Sequence, residues 1–415
     1  MPSYPTYKLA EIITDAIGGD WGKDPGFQDD SYELAYCIRG AEYKNWASEK
    51  GATAALRKIK STNLLKRQLK EGDIIVEISG GGPEQPVGRT EVITKDVLDN
   101  FKGKKVICTN FLRLIRPNIN VVDSVFLNHY LKFFYSTGEI IKYQAGSNNL
   151  RNLKFNDYLT LPIPLPPLPT QHQIVSRIES LFAELDKAVE HLRTAQQQLK
   201  IYRQAVLKSA FEECGEMKKV LELSSVVTSG SRGWAKYYTD KKDARFVRIT
   251  DLTRDKITLQ NNNIQYISLP QNVEGKRSLL QPNDVLVSIT ADLGSIAIVP
   301  SNIGEAYINQ HIAMIRFKNS KQGKFMAYYL RSDYGQRSLL KNKRGGGKLG
   351  LGLDDIRNTY IPFVNDEEAN EIVLKIETRL SQTEAAEASI AEALQKTEAL
   401  RQSILKKAFS GELNL

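Results

Sequence analysis

The side chains with most to offer chemically lie in six short glycine-bearing stretches, three in each half of the chain. In the first half these are IGGDWGKD (17–24), SGGGPEQPVGR (79–89) and AGSNNLRNLK (145–154). In the second half they are SGSRGWAKYY (229–238), TADLG (290–294) and KNKRGGGKLG (341–350). Glycine lets a backbone approach a phosphate closely, serine and asparagine hydrogen-bond phosphates or base edges, and arginine reads guanine. One such stretch is usually only a turn. Three per half, in matching places, argue for a binding surface. The candidates in the first half are Trp21, Lys23, Ser79, Gly80, Arg89, Asn148 and Arg151. Those in the second are Ser229, Ser231, Arg232, Trp234, Lys236, Tyr237, Thr290, Arg344 and Lys348, joined by Asn309 and Gln310, which lie outside the three stretches.

No catalytic constellation accompanies them. Gly345, Gly347 and Gly350 have GxGxxG spacing, but they do not open a helix after a strand in a βαβ unit. No GxxxxGK[ST] phosphate loop occurs, and His129, His172, His191 and His311 lack HExxH spacing. Asp73 and Glu77 read as turn and strand residues, because no lysine follows in the pattern a metal-dependent nuclease needs. Cys37, Cys108 and Cys214 are scattered without CxxC spacing, which indicates neither a disulfide framework nor a zinc site. No cofactor or metal bound by this chain is expected. No apolar run reaches the roughly eighteen residues of a membrane helix, and the polar start MPSYPTYKLAE is unlike a signal peptide, so a cytoplasmic protein is expected.

The elements that must position these loops include one that occurs twice. Residues 174–211 and 372–409 align without a gap: Ile174, Val175, Ile178 and Glu179 match Ile372, Val373, Ile376 and Glu377. At the other end, Arg203, Gln204, Leu207, Lys208, Ala210 and Phe211 match Arg401, Gln402, Leu405, Lys406, Ala408 and Phe409. Each copy reads as one long helix. Ile178, Leu185, Leu192, Leu199 and Val206 recur every seven residues, interleaved by Ile174, Leu181, Ala188, Ala195 and Tyr202. In the second copy Ile376, Thr383, Ile390, Thr397 and Ile404 alternate with Ile372, Ala386, Ala393 and Leu400. A capping box is expected at Thr170 with Gln173, after the stiff proline run LPIPLPPLPT, and another at Asn365 with Glu368. About forty residues at 1.5 Å each make a rod of roughly 60 Å. Pairing between separate chains is the alternative; two copies in one chain favour the intramolecular pair.

The globular segments also resemble each other. LKEGDIIVEIS (69–79) parallels LQPNDVLVSIT (280–290), NFLRLIRP (110–117) parallels QHIAMIRF (310–317), and HYLKFFYSTGEIIK (129–142) parallels YYLRSDYGQRSLLK (328–341). That is a duplicated α/β fold whose loops have diverged. The expected order is 1–160 globular, 161–214 proline lead and helix, 215–364 globular, and 365–415 helix and tail. The formal net charge of +9 is unevenly spread: residues 170–213 are neutral and 366–410 carry −3, which leaves +12 on the remainder. A polyanion bound by the globular parts would explain the split. A structural coiled-coil adaptor with basic domains binding protein or RNA is the competing reading.

The pieces IPLPPLPTQHQIVSRIESLF, RQAVLKSAF and RQSILKKAFSGELNL, with the alternation of globular segment and rod across the whole chain, resemble the DNA-specificity subunit of type I restriction–modification systems. DWGKDPGF matches the family's usual loop only loosely, and VNDEEANEIV lacks the common glutamine of the rod start. The resemblance implies two α/β target-recognition domains, each reading half of a split double-stranded DNA site, held apart by the two helices paired as an antiparallel coiled coil. It also implies two methyltransferase subunits as partners, bringing S-adenosylmethionine, and restriction (nuclease–translocase) subunits bringing ATP and Mg²⁺. The chain itself would be non-catalytic.

Overall fold

The computed structural model describes residues 4–82, 85–146, 151–213, 215–270, 276–341 and 350–413. The chain divides into two compact units, Met1–His191 with Ala393–Leu415, and Leu192–Glu392. Each unit is α/β and takes part of both long helices, which run Leu168–Ala210 and Asp366–Ser410.

In unit 1 a four-stranded antiparallel sheet runs Ile13–Gly18, Leu112–Pro117, Ile74–Glu77, Thr90–Val92. Ile74–Glu77 is buried along its whole length, so Ile74, Ile75 and Val76 are apolar on both faces, and buried Glu77 is paired with Arg89. A second sheet orders Ala55–Lys60, Tyr32–Ile38 and Val106–Cys108, the last pair parallel. Helix Ser124–Ser136 is capped by the Asp123 carboxylate, which accepts the Phe126 N–H at 2.8 Å.

Unit 2 repeats the plan. Its four-stranded sheet runs Ser224–Ser229, Ile312–Phe317, Val285–Ser288, Ile296–Ile298, and a second sheet again ends in a parallel pair, Ala244–Val247 with Ala306–Ile308. The buried framework is repeated in detail. Arg116 forms two hydrogen bonds to Asp73, of 2.7 and 2.8 Å, and Arg316 forms two to Asp284, of 2.8 and 2.6 Å. Each aspartate is 1 % exposed, and each also accepts a main-chain N–H three residues earlier, from Lys70 and from Gln281. The turn residue foreseen at Asp73 therefore closes its turn and pairs with an arginine 43 residues later in the chain.

The entry strand of each globular segment pairs with its exit strand: Thr6–Lys8 with Pro162–Pro164, and Glu216–Lys219 with Tyr360–Phe363. This buries Ile163 and Ile361 completely, the two members of the repeated Ile-Pro. The proline lead is thus an edge strand, where a missing N–H costs little. The first long helix begins at Leu168, so Thr170 lies inside it and the expected cap there is displaced. Buried Gln171 holds this start, accepting the Asp123 N–H at 2.8 Å and donating to Pro166 O at 2.8 Å. At the second helix Asn365 Oδ1 does accept the Glu368 N–H, at 2.9 Å.

Within each unit the two helices run antiparallel. In unit 2 Arg203 pairs with Glu387 at 2.8 Å and approaches Glu384 at 3.9 Å; in unit 1 the aligned Arg401 pairs with Asp186. These arginines correct the expected seam. Tyr202 and Leu400 point outward, and Arg203 and Arg401, one residue on, turn inward. Ala188 is likewise exposed, with Val189 turned in. The buried Thr383 and Thr397 satisfy their hydroxyls by donating to the carbonyls of Arg379 and Ala393, both at 2.9 Å.

The repeated Phe of the LKxAF ending is an anchor. Phe211 lies 5.5 and 5.4 Å from the rings of Phe325 and Tyr329, and Phe409 lies 5.4, 5.2 and 5.7 Å from Phe126, Tyr130 and Phe133. Each long helix thus ends in the unit opposite the one where it begins being packed. Phe211→Ala is expected to cost about 3–5 kcal/mol, the usual loss for a buried aromatic. Hydrogen exchange in Gly323–Arg331 would detect it, and unchanged protection there would remove the anchoring role.

Candidate nucleic-acid interface

In unit 2 the meeting point is the start of strand Ile312–Phe317. Ser229 stands opposite Ala313, and the next residue, Gly230, donates its N–H to Ile312 O at 3.4 Å. A Cβ on Gly230 would collide with the carbonyl oxygens of Ile308 and Asn309, so only glycine lets the chain pass and Ser231 form its bridge to Asn309. On the other side the Ile289 N–H donates to His311 O at 2.9 Å, and the Leu351 N–H to Ile289 O at 3.0 Å. Thr290 then bridges Gly350. Ser229, Ser231, Thr290, Asn309 and Gln310, from three separate stretches, therefore share one end of the sheet.

Unit 1 builds the same junction with other side chains. The Gly19 N–H donates to Leu112 O at 3.1 Å, and a Cβ there would collide with the carbonyls of Cys108 and Thr109. The Ile78 N–H donates to Phe111 O at 2.9 Å, and the Leu153 N–H to Ile78 O at 2.8 Å. Ser79 Oγ donates to Asn152 Oδ1 at 2.6 Å, Gly80 is exposed at φ +104°, and Arg151 donates to Gly146 O at 3.1 Å. Beyond Gly19 the exposed Trp21 ring lies under the Arg57 guanidinium at 4.4 Å. Lys23 bridges Lys58 through the main chain, which places Trp21, Lys23, Arg57 and Lys58 along one basic and aromatic edge.

Two expected contacts have other work. Trp234 is 4 % exposed, its ring packed 5.4 Å from Tyr307 and 6.0 Å from Phe246, so it holds the loop in place and presents no face to a ligand. Arg89 is committed to Glu77 through hydrogen bonds of 2.8 and 2.6 Å and lies over the Tyr43 ring. Burial raises the Tyr43 hydroxyl well above its usual range, and the Glu77 pairing raises Arg89, so both keep fixed protonation states. Arg232 and Lys236 are exposed, and Lys236 Nζ lies 5.0 Å from the ring centroid of half-buried Tyr237. Asn148, Arg344 and Lys348 lie outside the described residues.

Two residues were not anticipated. Arg57 shares its strand face with buried Ile59, and its half-buried guanidinium pairs with Asp24 and donates to Trp21 O at 3.0 Å. His311 gave no spacing signal, because its partners are the adjacent Gln310 and, 21 residues earlier, Thr290. His129, by contrast, is a core residue: its ring stands edge-on to Phe182 at 5.8 Å, and burial lowers its pKa to about 4, so it stays neutral.

The scaffold is built twice, with a common buried framework and unlike loop ends. The family model for the type I restriction modification DNA specificity domain matches residues 55–192 and 216–396. The chain belongs to that family. It is 28 % identical over 319 residues to the type I restriction enzyme EcoBI specificity subunit of Escherichia coli, a match spanning 69 % of this chain and 65 % of the relative. It is 26 % identical over 373 residues to the StySPI specificity subunit of Salmonella potsdam, covering 85 % of this chain and 77 % of that one. Among solved structures, one chain from work on complex assembly and conformational transition of the type I R-M system superposes with a TM-score of 0.74 at 21 % identity, covering 100 % and 99 % of the two chains. The HsdS subunit from Thermoanaerobacter tengcongensis superposes with a TM-score of 0.62 at 20 % identity, covering 100 % and 98 %. These two likenesses show the fold. No helix among the described residues is long and apolar enough to cross a membrane.

Proposed function

We propose that this chain is the DNA-specificity subunit of a type I restriction–modification assembly, itself non-catalytic, with each unit reading one half of a bipartite double-stranded site. The paired helices would set the distance between the readers and dock two methyltransferase subunits, which supply S-adenosylmethionine. Restriction subunits would supply the ATP- and Mg²⁺-dependent chemistry. The observation that carries this reading is the duplicated scaffold. Its Asp–Arg pairs and glycine crossings are repeated residue for residue, whereas the junction ends differ, Phe111 against His311 and Ser79-Gly80 against Thr290-Ala291. Selection for one common ligand would not be expected to keep the framework and change only the tips.

The purified chain incubated with DNA and S-adenosylmethionine should transfer no methyl group until a methyltransferase subunit is added, and the completed assembly should then modify one bipartite sequence. Transfer by the single chain, or binding indifferent to sequence as an adaptor would show, contradicts the proposal. Lys23→Ala should affect one half-site only, and Arg232→Ala or Lys236→Ala the other. A lost base contact relaxes one position at a cost of about 1–3 kcal/mol, while a lost phosphate contact weakens all sequences evenly and flattens the salt dependence by about one charge. Competition with half-site variants that shows both halves affected equally would rule out two independent readers.

A further inference from the structure

At the junction of unit 2 three side chains form a relay. Thr290 Oγ1 lies 2.6 Å from His311 Nδ1, and Gln310 Nε2 lies 2.8 Å from His311 Nε2. With the Gln310 amide nitrogen turned to the ring and donating, His311 Nε2 accepts, and the tautomer that fits both contacts carries its proton on Nδ1 and donates it to Thr290. The histidine is also held by its main chain. Its N–H donates to Asn309 Oδ1 at 3.2 Å, and its carbonyl accepts the Ile289 N–H at 2.9 Å. A ring fixed at both nitrogens and along its backbone fixes the amide beside it. Gln310 therefore keeps its second amide proton and its Oε1 for a ligand, a donor and an acceptor side by side. Such a pair matches adenine, whose N7 accepts and whose N6 donates in the major groove.

The unit 1 equivalent of His311 is Phe111, which has no ring nitrogen to orient the neighbouring Asn110. The backbone arrangement is otherwise the same: the Ile78 N–H donates to Phe111 O at 2.9 Å, and Thr109 Oγ1 accepts the Phe111 N–H at 3.3 Å. The scaffold thus accepts a phenylalanine at this place without its hydrogen bonds changing. The histidine in unit 2 is accordingly not required by the fold.

Resting on the DNA-reading function proposed above, we infer that His311 is a positioning residue for specificity: by fixing the amide orientation of Gln310 it makes unit 2 demand adenine at one position of its half-site. Thr290 sets the tautomer, His311 sets the amide, and Gln310 makes the contact.

The test uses the full chain assembled with its methyltransferase on a library of DNA sites randomised in the unit 2 half. Gln310→Ala should identify the position, by reducing its preference for adenine about tenfold or more. His311→Phe should relax that same position to a similar extent while leaving the unit 1 half-site unchanged. His311→Gln, which can place an amide oxygen near the lost ring nitrogen, should recover part of the preference. Thr290→Val keeps the shape and removes the partner of Nδ1, so it should relax the same position, and it serves if His311→Phe fails to fold. Full adenine preference in folded His311→Phe or in Thr290→Val, or relaxation at a position different from that of Gln310→Ala, overturns the inference. A wild-type assembly with no sequence preference overturns the DNA-reading function itself, which is a separate outcome.

Discussion

Removing residues 192–198 and 390–396 together is expected to shorten the spacer between the two half-sites by up to about three base pairs, with both half-site sequences unchanged. Seven residues at 1.5 Å make about 10 Å of helix, and B-DNA rises about 3.4 Å per pair. A whole heptad keeps the seam in register. Deleting these two segments retains both arginine anchors and their partners Asp186, Glu384 and Glu387. Each base pair also turns the groove by roughly a tenth of a turn. Affinity should therefore fall even at the best new spacing, since DNA twist or protein deformation must absorb a quarter to a third of a turn. Mapping methylated sites with the shortened chain and its methyltransferase reads the spacer directly. An active variant that keeps the original spacer would show that the helices do not set the distance.

A large effect on stability is expected from Arg116→Leu. It leaves the Asp73 carboxylate, 1 % exposed, without its cationic partner. Breaking one side of a buried ion pair costs about 3–5 kcal/mol, mostly because the remaining charge is stranded. Arg316→Leu should do the same in unit 2 through Asp284. Adding Asp73→Asn to Arg116→Leu removes the stranded charge, keeps an oxygen for the Lys70 N–H, and should recover much of the loss. Native-state hydrogen exchange of Ile74–Glu77 and Val285–Ser288 separates the two units. A single change costing under about 1 kcal/mol in its own unit would mean that the pair is not a framework contact.

Pattern-level features were open to reading from the chain alone, because they depend on local periodicity. The gap-free repeat marked two long helices of similar span, and heptad spacing marked Ile178, Val206, Ile376 and Thr383 as inward. The parallel segments around Asp73 and Asp284 marked a duplicated α/β core, and the glycine stretches marked where backbone passes close to backbone. Family membership followed from the rod ends, where specific side chains must pack against specific surfaces, as Phe211 and Phe409 do.

Tertiary structure decided what each polar side chain is bonded to. Spacing cannot distinguish Arg89, held by Glu77, from Arg232 at the surface, because Glu77 is twelve residues away on another strand. Trp234 looked like a stacking residue by its neighbours and proved to be core, since Phe246 and Tyr307 reach it only when the second sheet forms. The inward turn of Arg203 and Arg401 needed the acidic residues of the other helix. His311 acquired its orienting position from a threonine twenty-one residues earlier. Local sequence sets periodicity and turns, because those depend on near neighbours; the fold sets which charges and hydroxyls meet, because hydrogen bonds act over a few ångströms between segments that only folding brings together.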